Sequence, residues 1–153
     1  MKCLELKIHP PIVFISVVGL MWGVSQVLPG FIWPKTVQYA GALICLFLAV
    51  SIAVLAVLAF RKAHTTINPH RPETSSSLVT GGVFSFSRNP MYLGLAVLLL
   101  GWSWFLMNAY AMLLVIAFIG YITAFQIKPE ERMLSHLFGD DYRQYQQRVR
   151  RWF

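Results

Sequence analysis

The chain has 153 residues, of which 57% are hydrophobic, 14% are aromatic and only 12% are charged. A typical soluble domain carries about 25% charged residues. No Asp, Glu, Lys or Arg occurs in residues 8–34, 36–60 or 89–127, and about 20 apolar residues are enough for a helix to cross a bilayer. These values exclude the soluble globular, disordered and disulfide-rich secreted classes. They predict an all-α integral membrane protein, with residues 1–153 in a single domain.

Basic residues outnumber acidic residues by 13 to 6, which gives a net charge of +7. In a soluble protein this balance would favour nucleic-acid binding. Here most basic residues flank apolar stretches, where they orient the chain and meet anionic lipid headgroups. We therefore expect the lipid bilayer as a partner and no nucleic acid. Cys3 and Cys45 predict neither a disulfide nor a metal site, and Cys45 is expected to pack as a small apolar residue.

Two transmembrane helices are predicted first, over residues 12–28 and 37–60. A Pro-Pro pair precedes the first helix and a Pro-Gly pair follows it, while an Arg-Lys pair ends the second helix. Ala49, Ala53 and Ala56 are expected to give the second helix a small-residue face for close contact with another helix.

A second pair of transmembrane helices is predicted after a polar loop, residues 61–90, that is rich in Ser, Thr, Pro and Gly. The 39 uncharged residues that follow Arg88 are too many for one membrane helix at ordinary tilt. We therefore predict helices over residues 91–107 and 109–127, with the turn at Asn108. Both outer ends of such a hairpin return to the same side of the membrane. The segments that flank the hairpin are thus expected to face each other at one interface.

The tail, residues 129–153, is predicted to form amphipathic helices that lie at the membrane interface. Gly139 is suited to end the first of these helices. In the second helix, Tyr142, Tyr145 and Val149 share one face.

The distribution of basic residues predicts the orientation in the membrane. Twelve of the 13 lie in the N-terminal segment, in the 61–90 loop, or at Lys128 and in the tail that follows it, whereas Lys35 lies in a loop on the opposite side. By the positive-inside rule the first three segments are cytoplasmic. We therefore expect a multi-pass protein whose termini and active site are cytoplasmic, in the cytoplasmic membrane if the source is prokaryotic.

The polar side chains best suited to chemistry lie at the cytoplasmic ends of the third and fourth predicted helices. No charged residue lies deep in a helix, which argues against an ion-coupled transporter. Arg88 and Glu130 place a cation and a carboxylate at one depth, beside aromatic residues and a glycine turn. This predicts a pocket for a polar, partly cationic ligand. Two simpler interpretations stay open: Arg88 extends to lipid headgroups, and Glu130 and Glu131 are interfacial carboxylates at a helix start.

Two motifs in these segments resemble one group of enzymes. The chain contains SLVTGGVFSFSRNPMY at residues 77–92 and EERMLSHLFGDDYRQYQQRV at residues 130–149. They are similar to the LVTxGxY…R-(H/N)-P-x-Y and EExxLxxxFGxxYxxYxxxV signatures of the isoprenylcysteine carboxyl methyltransferase and phospholipid methyltransferase group. The resemblance covers about residues 60–153, and the motifs stand in the expected order around a helical hairpin.

The resemblance implies an integral membrane enzyme that transfers a methyl group from S-adenosylmethionine to a lipophilic acceptor. The residues that match the group's cofactor contacts are Ser77, Leu78, Val79, Phe84, Asn89, Pro90, Met91, Tyr92 and Glu130. Phe84 stands where relatives often carry a tyrosine. We take Arg88 and Glu130 as the candidate catalytic residues, and no metal is expected.

Gln126 is the candidate substrate-binding residue. Relatives that act on a prenylcysteine carboxylate carry an arginine four residues before the matching glutamate, and Gln126 occupies that position here. A neutral amide cannot make the charge-assisted, two-bond pair that an arginine makes with a carboxylate. A lipid amine, a thiol or another apolar acceptor therefore stays open. The alternatives are a phospholipid amine or thiol methyltransferase and a non-enzymatic membrane protein that binds anionic lipid headgroups.

The two adjacent glutamates are expected to have different tasks. Successive helical residues point about 100° apart, so Glu130 and Glu131 cannot both face one pocket. We expect Glu130 to contact the cofactor and Glu131 to support the structure by pairing with a tail arginine.

Overall fold

The computed structural model describes residues 5–63 and 78–153, and all regular secondary structure in these two ranges is helical. Five α-helices follow one another: α1 Pro10–Val27, α2 Lys35–Lys62, α3 Pro90–Phe105, α4 Ala109–Ile122 and α5 Lys128–Arg148. A short 3-10 turn, Gly82–Ser85, precedes α3. The predicted all-α fold class is confirmed.

Helix length and hydropathy show how the chain meets the membrane. α1 has 18 residues and α2 has 28, and both are long and apolar enough to cross a bilayer. The continuous helical run Ala109–Arg148, which contains α4, also meets this criterion. α3 is a shorter apolar helix of 16 residues, about 24 Å long at 1.5 Å per residue. The chain is an integral membrane protein built on these four apolar helices.

The helices pack in a chain of neighbours, with α2 against α3, α3 against α4, and α4 against α1. The centre of the core is formed by Met21, Leu99, Phe118 and Ile122, whose side chains are covered almost completely. Phe14 of α1 contacts Phe118 edge to face, with the ring centroids 6.5 Å apart. Many large apolar side chains of α1 and α2 point outward and are exposed, as expected for helices that face lipid.

α2 and α3 approach each other closely because two glycines of α3 face α2. A Cβ atom added at Gly101 would lie 2.6 Å from the Cβ of Cys45, and one added at Gly94 would lie 3.4 Å from the carbonyl oxygen of Ala49. Close backbone packing of this kind drives helix association in membranes. The predicted small-residue face of α2 is correct at Ala49 and Ala56, which are buried, but wrong at Ala53, which is exposed. Ala49 and Ala56 lie within about 20° of each other around the helix, whereas Ala53 is rotated about 40° from Ala49 in the other direction, away from α3.

The turn between α3 and α4 lies at Asn108, as predicted. Its Oδ1 accepts a hydrogen bond from the N–H of Ala111 at 3.0 Å, which caps α4. Its Nδ2 donates to the carbonyl oxygen of Leu28 at 3.0 Å. Met107 has a positive φ of 50°, which lets the chain reverse within a few residues. The turn therefore joins the α3–α4 hairpin to the end of α1.

The helix changes its pitch between α4 and α5. Thr123–Ile127 forms a π-helical turn, so the predicted span 109–127 is not a regular α-helix throughout. Such turns occur most often at functional sites. α5 then bends at Gly139, whose φ of 53° is a conformation that favours glycine. The bend divides α5 into a first limb, residues 128–138, and a second limb, residues 140–148.

Replacing Asn108 with alanine removes the cap of α4 and leaves the Leu28 carbonyl without its donor. We expect the free energy of unfolding to fall by about 1–3 kcal/mol, because a lost cap costs about 1 kcal/mol and the lost hydrogen bond to the Leu28 carbonyl adds about 0.5–1.5 kcal/mol. The measurement is the thermal unfolding of the detergent-purified protein. Asn108→Asp keeps the capping oxygen and loses only the donor, so it should lie between the alanine variant and wild type. An unchanged melting temperature for Asn108→Ala would contradict the role of this turn.

Candidate active site at the ends of α3 and α5

The segment before α3 and the start of α5 meet at one end of the bundle, as the predicted hairpin requires. Tyr92, in the first turn of α3, donates its hydroxyl to Glu130 Oε1 at 2.6 Å. The Arg88 Nη2 lies 2.9 Å from Glu131 Oε1. The expected opposition of a cation and a carboxylate is therefore present. Arg88 pairs with Glu131, however, whereas Glu130 contacts Tyr92.

Glu130 is half-buried and has an open hydrogen-bonding position. Burial raises the pKa of Glu130 to about 7; the hydrogen bond from Tyr92 acts in the opposite direction, and the negative charge of Glu131 adds to the rise. Its Oε1 is bound to Tyr92, and its Oε2 has no hydrogen-bond partner within residues 5–63 and 78–153. A carboxyl group that titrates near neutrality and keeps one oxygen open is suited to bind a cationic or hydroxyl-bearing ligand.

Glu131 is the centre of an ion-pair cluster with two arginines. Besides the contact with Arg88, its Oε1 accepts from Arg151 Nε at 3.0 Å and its Oε2 accepts from Arg151 Nη2 at 2.7 Å. Glu131 is only 8% exposed. Its hydrogen bonds are the main reason that the pKa of Arg151 is raised above its ordinary value. The expected pairing of Glu131 with a tail arginine is therefore confirmed.

Residues 149–153, which we call the C-terminal segment, run back across the site after α5 ends. The N–H of Arg88 donates to the Arg150 carbonyl at 3.0 Å, and the side-chain amide of Asn89 donates to the Arg151 carbonyl at 3.0 Å. The C-terminal segment therefore binds the start of α3 through its backbone and the start of α5 through the side chain of Arg151.

Trp152 extends these contacts to the end of α4. Its Nε1 donates to Thr123 Oγ1 at 3.2 Å, at the first residue of the π-turn, and its ring packs against the core of α1, α3 and α4. Sequence reasoning missed Arg151 and Trp152 as site residues. Their partners lie 20 to 64 residues away along the chain, and no local pattern marks such contacts.

An aromatic cluster on the second limb of α5 covers another part of the site. Tyr142, Tyr145 and Val149 are buried together, as their helical spacing predicts. The residues that pack against them are Leu78, Leu134 and Phe138. The hydroxyl of Tyr145 donates to the Phe84 carbonyl oxygen at 2.6 Å. Burial raises the pKa of Tyr142 to about 12, so this phenol is neutral at physiological pH.

The other predicted cofactor residues differ in their burial. Phe84 is buried and has an edge-to-face aromatic neighbour in α2, and Pro90 is buried in the first turn of α3. Val79 is half-buried, whereas Met91 is 39% exposed. Ser77 lies outside the residues that the structure describes.

Gln126 is fully buried within the π-turn. Its Nε2 donates to the Ile8 carbonyl at 2.7 Å, and the N–H of Leu6 donates to the Phe125 carbonyl at 3.0 Å. The segment before α1 therefore lies against the π-turn. In the described part of the chain, Gln126 Oε1 and Arg88 Nε are buried without a hydrogen-bond partner. Such atoms are rare and costly in proteins, and these two offer a ligand one acceptor and one donor.

Two open cavities are lined by residues of α5 in the described ranges, and one of them borders the ion-pair cluster. The first has a volume of about 530 Å³ and is lined by Glu131, Arg151 and polar residues of both limbs of α5. The second has a volume of about 460 Å³ and lies between Leu78 and α5. Neither cavity is lined by Glu130 or Tyr92, which are in direct contact.

Comparison with known proteins identifies the family. The family model for phospholipid methyltransferase matches residues 37–141, a range that holds most of α2, all of α3 and α4, and Glu130. The chain belongs to the phospholipid methyltransferase family. No solved structure matches it.

Two similar proteins cover part of the chain. An uncharacterized protein of Haemophilus influenzae is 53% identical over 62 residues, which are 40% of this chain and 98% of that protein. A protein-S-isoprenylcysteine O-methyltransferase of Schizosaccharomyces pombe is 35% identical over 72 residues, which are 47% of this chain and 30% of that protein. The match thus spans less than a third of the S. pombe enzyme. The family resemblance seen in the two motifs is confirmed.

Glu131→Gln leaves Arg88 and Arg151 without their shared carboxylate. Removing one partner of a buried ion pair costs about 3–5 kcal/mol. Since the Arg151 side chain is 33% exposed, we expect a loss of about 2–4 kcal/mol of unfolding free energy, measured by thermal unfolding of the unliganded protein in detergent. Asp140→Asn is the matched control, because its pair with Arg143 is exposed and contributes about 0–1 kcal/mol. Equal melting temperatures for the two variants would contradict the structural role of Glu131.

Proposed function

We propose that this protein transfers a methyl group from S-adenosylmethionine to a lipophilic acceptor at the cytoplasmic face of the membrane. The observation that carries the proposal is the setting of Glu130, a half-buried carboxyl group that Tyr92 holds by one oxygen. This residue lies inside the segment that matches the phospholipid methyltransferase family. Membership of the family supports the reaction class, and the chemistry of the residues supports the choice of methyl donor.

The residues at the site fit S-adenosylmethionine. The open oxygen of Glu130 would bind its ammonium group or its ribose hydroxyls, and the unpaired Nε–H of Arg88 would donate to its carboxylate. An aromatic face such as that of Tyr142 attracts a sulfonium by about 0.5–2 kcal/mol. The further contacts that we propose are Ser77, Leu78, Val79, Phe84, Asn89, Pro90, Met91 and Tyr92.

Methyl transfer from S-adenosylmethionine does not require the protein to activate the methyl group. When it is bound, S-adenosylmethionine supplies an already activated methyl group, so the protein has mainly to align the reactants and exclude water. Tyr92 fixes one oxygen of Glu130 and so restricts the orientation of the carboxylate. Arg88 is held by Glu131 with its Nε still unpaired. We propose Arg88 and Glu130 as the residues that touch the reactants.

The acceptor that we propose is a lipid amine or thiol rather than a carboxylate. Gln126 is buried with an unpaired Oε1, which can accept a hydrogen bond from an N–H, O–H or S–H group. It has no positive charge with which to pair a carboxylate, although the S. pombe relative is named for isoprenylcysteine O-methylation. Incubating native lipid extract with the protein and labelled S-adenosylmethionine, and then resolving the labelled products, identifies the acceptor. The absence of any labelled lipid would favour headgroup binding without catalysis.

Glu130→Gln removes the carboxylate that we assign to the methyl donor. We expect the affinity for S-adenosylhomocysteine to fall about 10- to 150-fold, the equivalent of one charge-assisted hydrogen bond of about 1.5–3 kcal/mol. Wild-type affinity should rise between about pH 6 and about pH 8, because Glu130 has a pKa of about 7 and binds a cation only after it loses its proton. The variant should show no such rise.

Calorimetric titration in detergent measures both effects. Glu5→Gln is the matched control, since Glu5 forms a surface pair with Arg132 away from Tyr92, and it should bind like wild type. If Glu130→Gln binds S-adenosylhomocysteine as tightly as wild type, the ligand site is not at Glu130.

We also propose that both termini and the active site are cytoplasmic, because 12 of the 13 basic residues lie in the segments assigned to that side. In a variant that lacks Cys3 and Cys45, single cysteines introduced at Ser75 and at Lys35 should react with an impermeant reagent from opposite sides of the membrane. Ser75 lies outside the described residues, so a cysteine at Arg148 provides a second position on the cytoplasmic side. Labelling of all three positions from one side would refute this topology.

A further inference from the structure

The two adjacent glutamates at the start of α5 have different partners. Glu130 receives one hydrogen bond, from the neutral hydroxyl of Tyr92. Glu131 receives bonds from two guanidinium groups, and Arg151 binds both of its oxygens. Bonds between charged groups are about twice as strong as neutral ones. Both oxygens of Glu131 are therefore occupied by guanidinium groups, whereas Glu130 keeps one oxygen for a ligand.

We propose that Arg151 is a positioning residue of the active site, which binds both oxygens of Glu131 and so leaves Glu130 as the carboxylate that meets the ligand. This inference rests on the proposed function, because it concerns the same site. Arg151 touches neither reactant in this arrangement. It acts through Glu131, and through Glu131 on Arg88.

The backbone of the C-terminal segment holds Arg151 in place. Its carbonyl oxygen accepts from the amide of Asn89 at 3.0 Å and from the hydroxyl of Ser87 at 3.4 Å. Ser87 is only 1% exposed. Because both the carbonyl group and the guanidinium group of Arg151 are bound, the residue has little freedom to move away from Glu131. It thereby connects the segment before α3 to the start of α5 beside the proposed ligand site.

Arg151 also offsets the negative charge of Glu131 that acts on Glu130. The titratable and charged groups around Glu130 are Tyr92 on α3, Glu131 and Tyr142 on α5, Arg88 before α3, and Arg151 in the C-terminal segment. The negative charge of Glu131 raises the pKa of Glu130, and the guanidinium of Arg151 offsets that charge. Without Arg151, Glu130 would keep its proton to a higher pH, and fewer molecules would present a carboxylate at neutral pH.

The first test is the titration of Glu130 in the unliganded protein. The chain contains four glutamates, so labelling with 13C-glutamate gives a simple spectrum in which Glu130→Gln assigns one signal. Arg151→Ala should raise the titration midpoint of Glu130 by about 1 pH unit. Arg148→Ala is the matched control, because it removes an exposed arginine of the same tail whose side chain bonds only its own helix, and it should leave the midpoint unchanged.

Arg151→Lys keeps the positive charge but loses the two-bond geometry, so its midpoint should lie between those of wild type and Arg151→Ala. If Arg151→Ala fails to fold, the titration midpoint of Glu130 in Arg151→Lys is the measurement that tests the proposal. A midpoint equal to that of wild type in each folded Arg151 variant would overturn the proposal.

The second test is the affinity for S-adenosylhomocysteine as a function of pH. Arg151→Ala should bind about fivefold more weakly than wild type near pH 7, because a midpoint that rises by about one unit from about 7 lowers the ionised fraction of Glu130 from about one half to about one tenth. Its affinity should approach that of wild type at about pH 9, whereas a general structural defect would lower affinity at every pH. If wild type itself does not bind S-adenosylhomocysteine, the proposed function fails, and the titration without ligand still decides whether Arg151 acts on Glu130.

Discussion

The site depends on a buried carboxylate and the two cations that neutralise it. An ionised carboxyl group shielded from water is strongly unfavourable unless it is paired and hydrogen-bonded. Glu131 meets this requirement only because Arg88 and Arg151 reach it from opposite directions along the chain. The start of α3, the start of α5 and the C-terminal segment must therefore lie together. The positions of Glu130 and Tyr92 follow from this convergence.

The transmembrane hairpin makes the convergence possible. Asn108 caps α4 and also binds the end of α1, so the turn has a defined place at the far end of the bundle. The glycines of α3 allow α2 to pack at close range. Because the turn and the packing of α3 against α2 are both defined, the residues that flank the hairpin meet at one depth in the membrane. A site at the membrane interface suits the lipophilic acceptor that we propose.

The π-turn and the C-terminal segment supply side-chain contacts that a regular α-helical hairpin would not make. The π-turn holds Gln126 in a fully buried position and leaves its Oε1 unpaired, which is a local cost that a bound acceptor would offset. Trp152 binds the first residue of the same turn. The C-terminal segment thus contacts the proposed acceptor side through Trp152 and the proposed donor side through Arg151. Glu130 and Glu131 can then have separate tasks although they are neighbours in sequence.

The amino-acid sequence by itself determined the membrane class, the all-α fold and the place of the hairpin turn, because hydropathy, charge and helical spacing are local properties of the chain. It also predicted that Arg88 and the glutamates face each other, since a hairpin returns to its starting side, and that Tyr142 and Tyr145 share a buried face. Which glutamate pairs with Arg88 was decided only by the tertiary structure. So were the π-turn at Gln126 and the return of Arg151 and Trp152 to the site. These features depend on side-chain contacts between segments that are far apart along the chain, and no local periodicity encodes them.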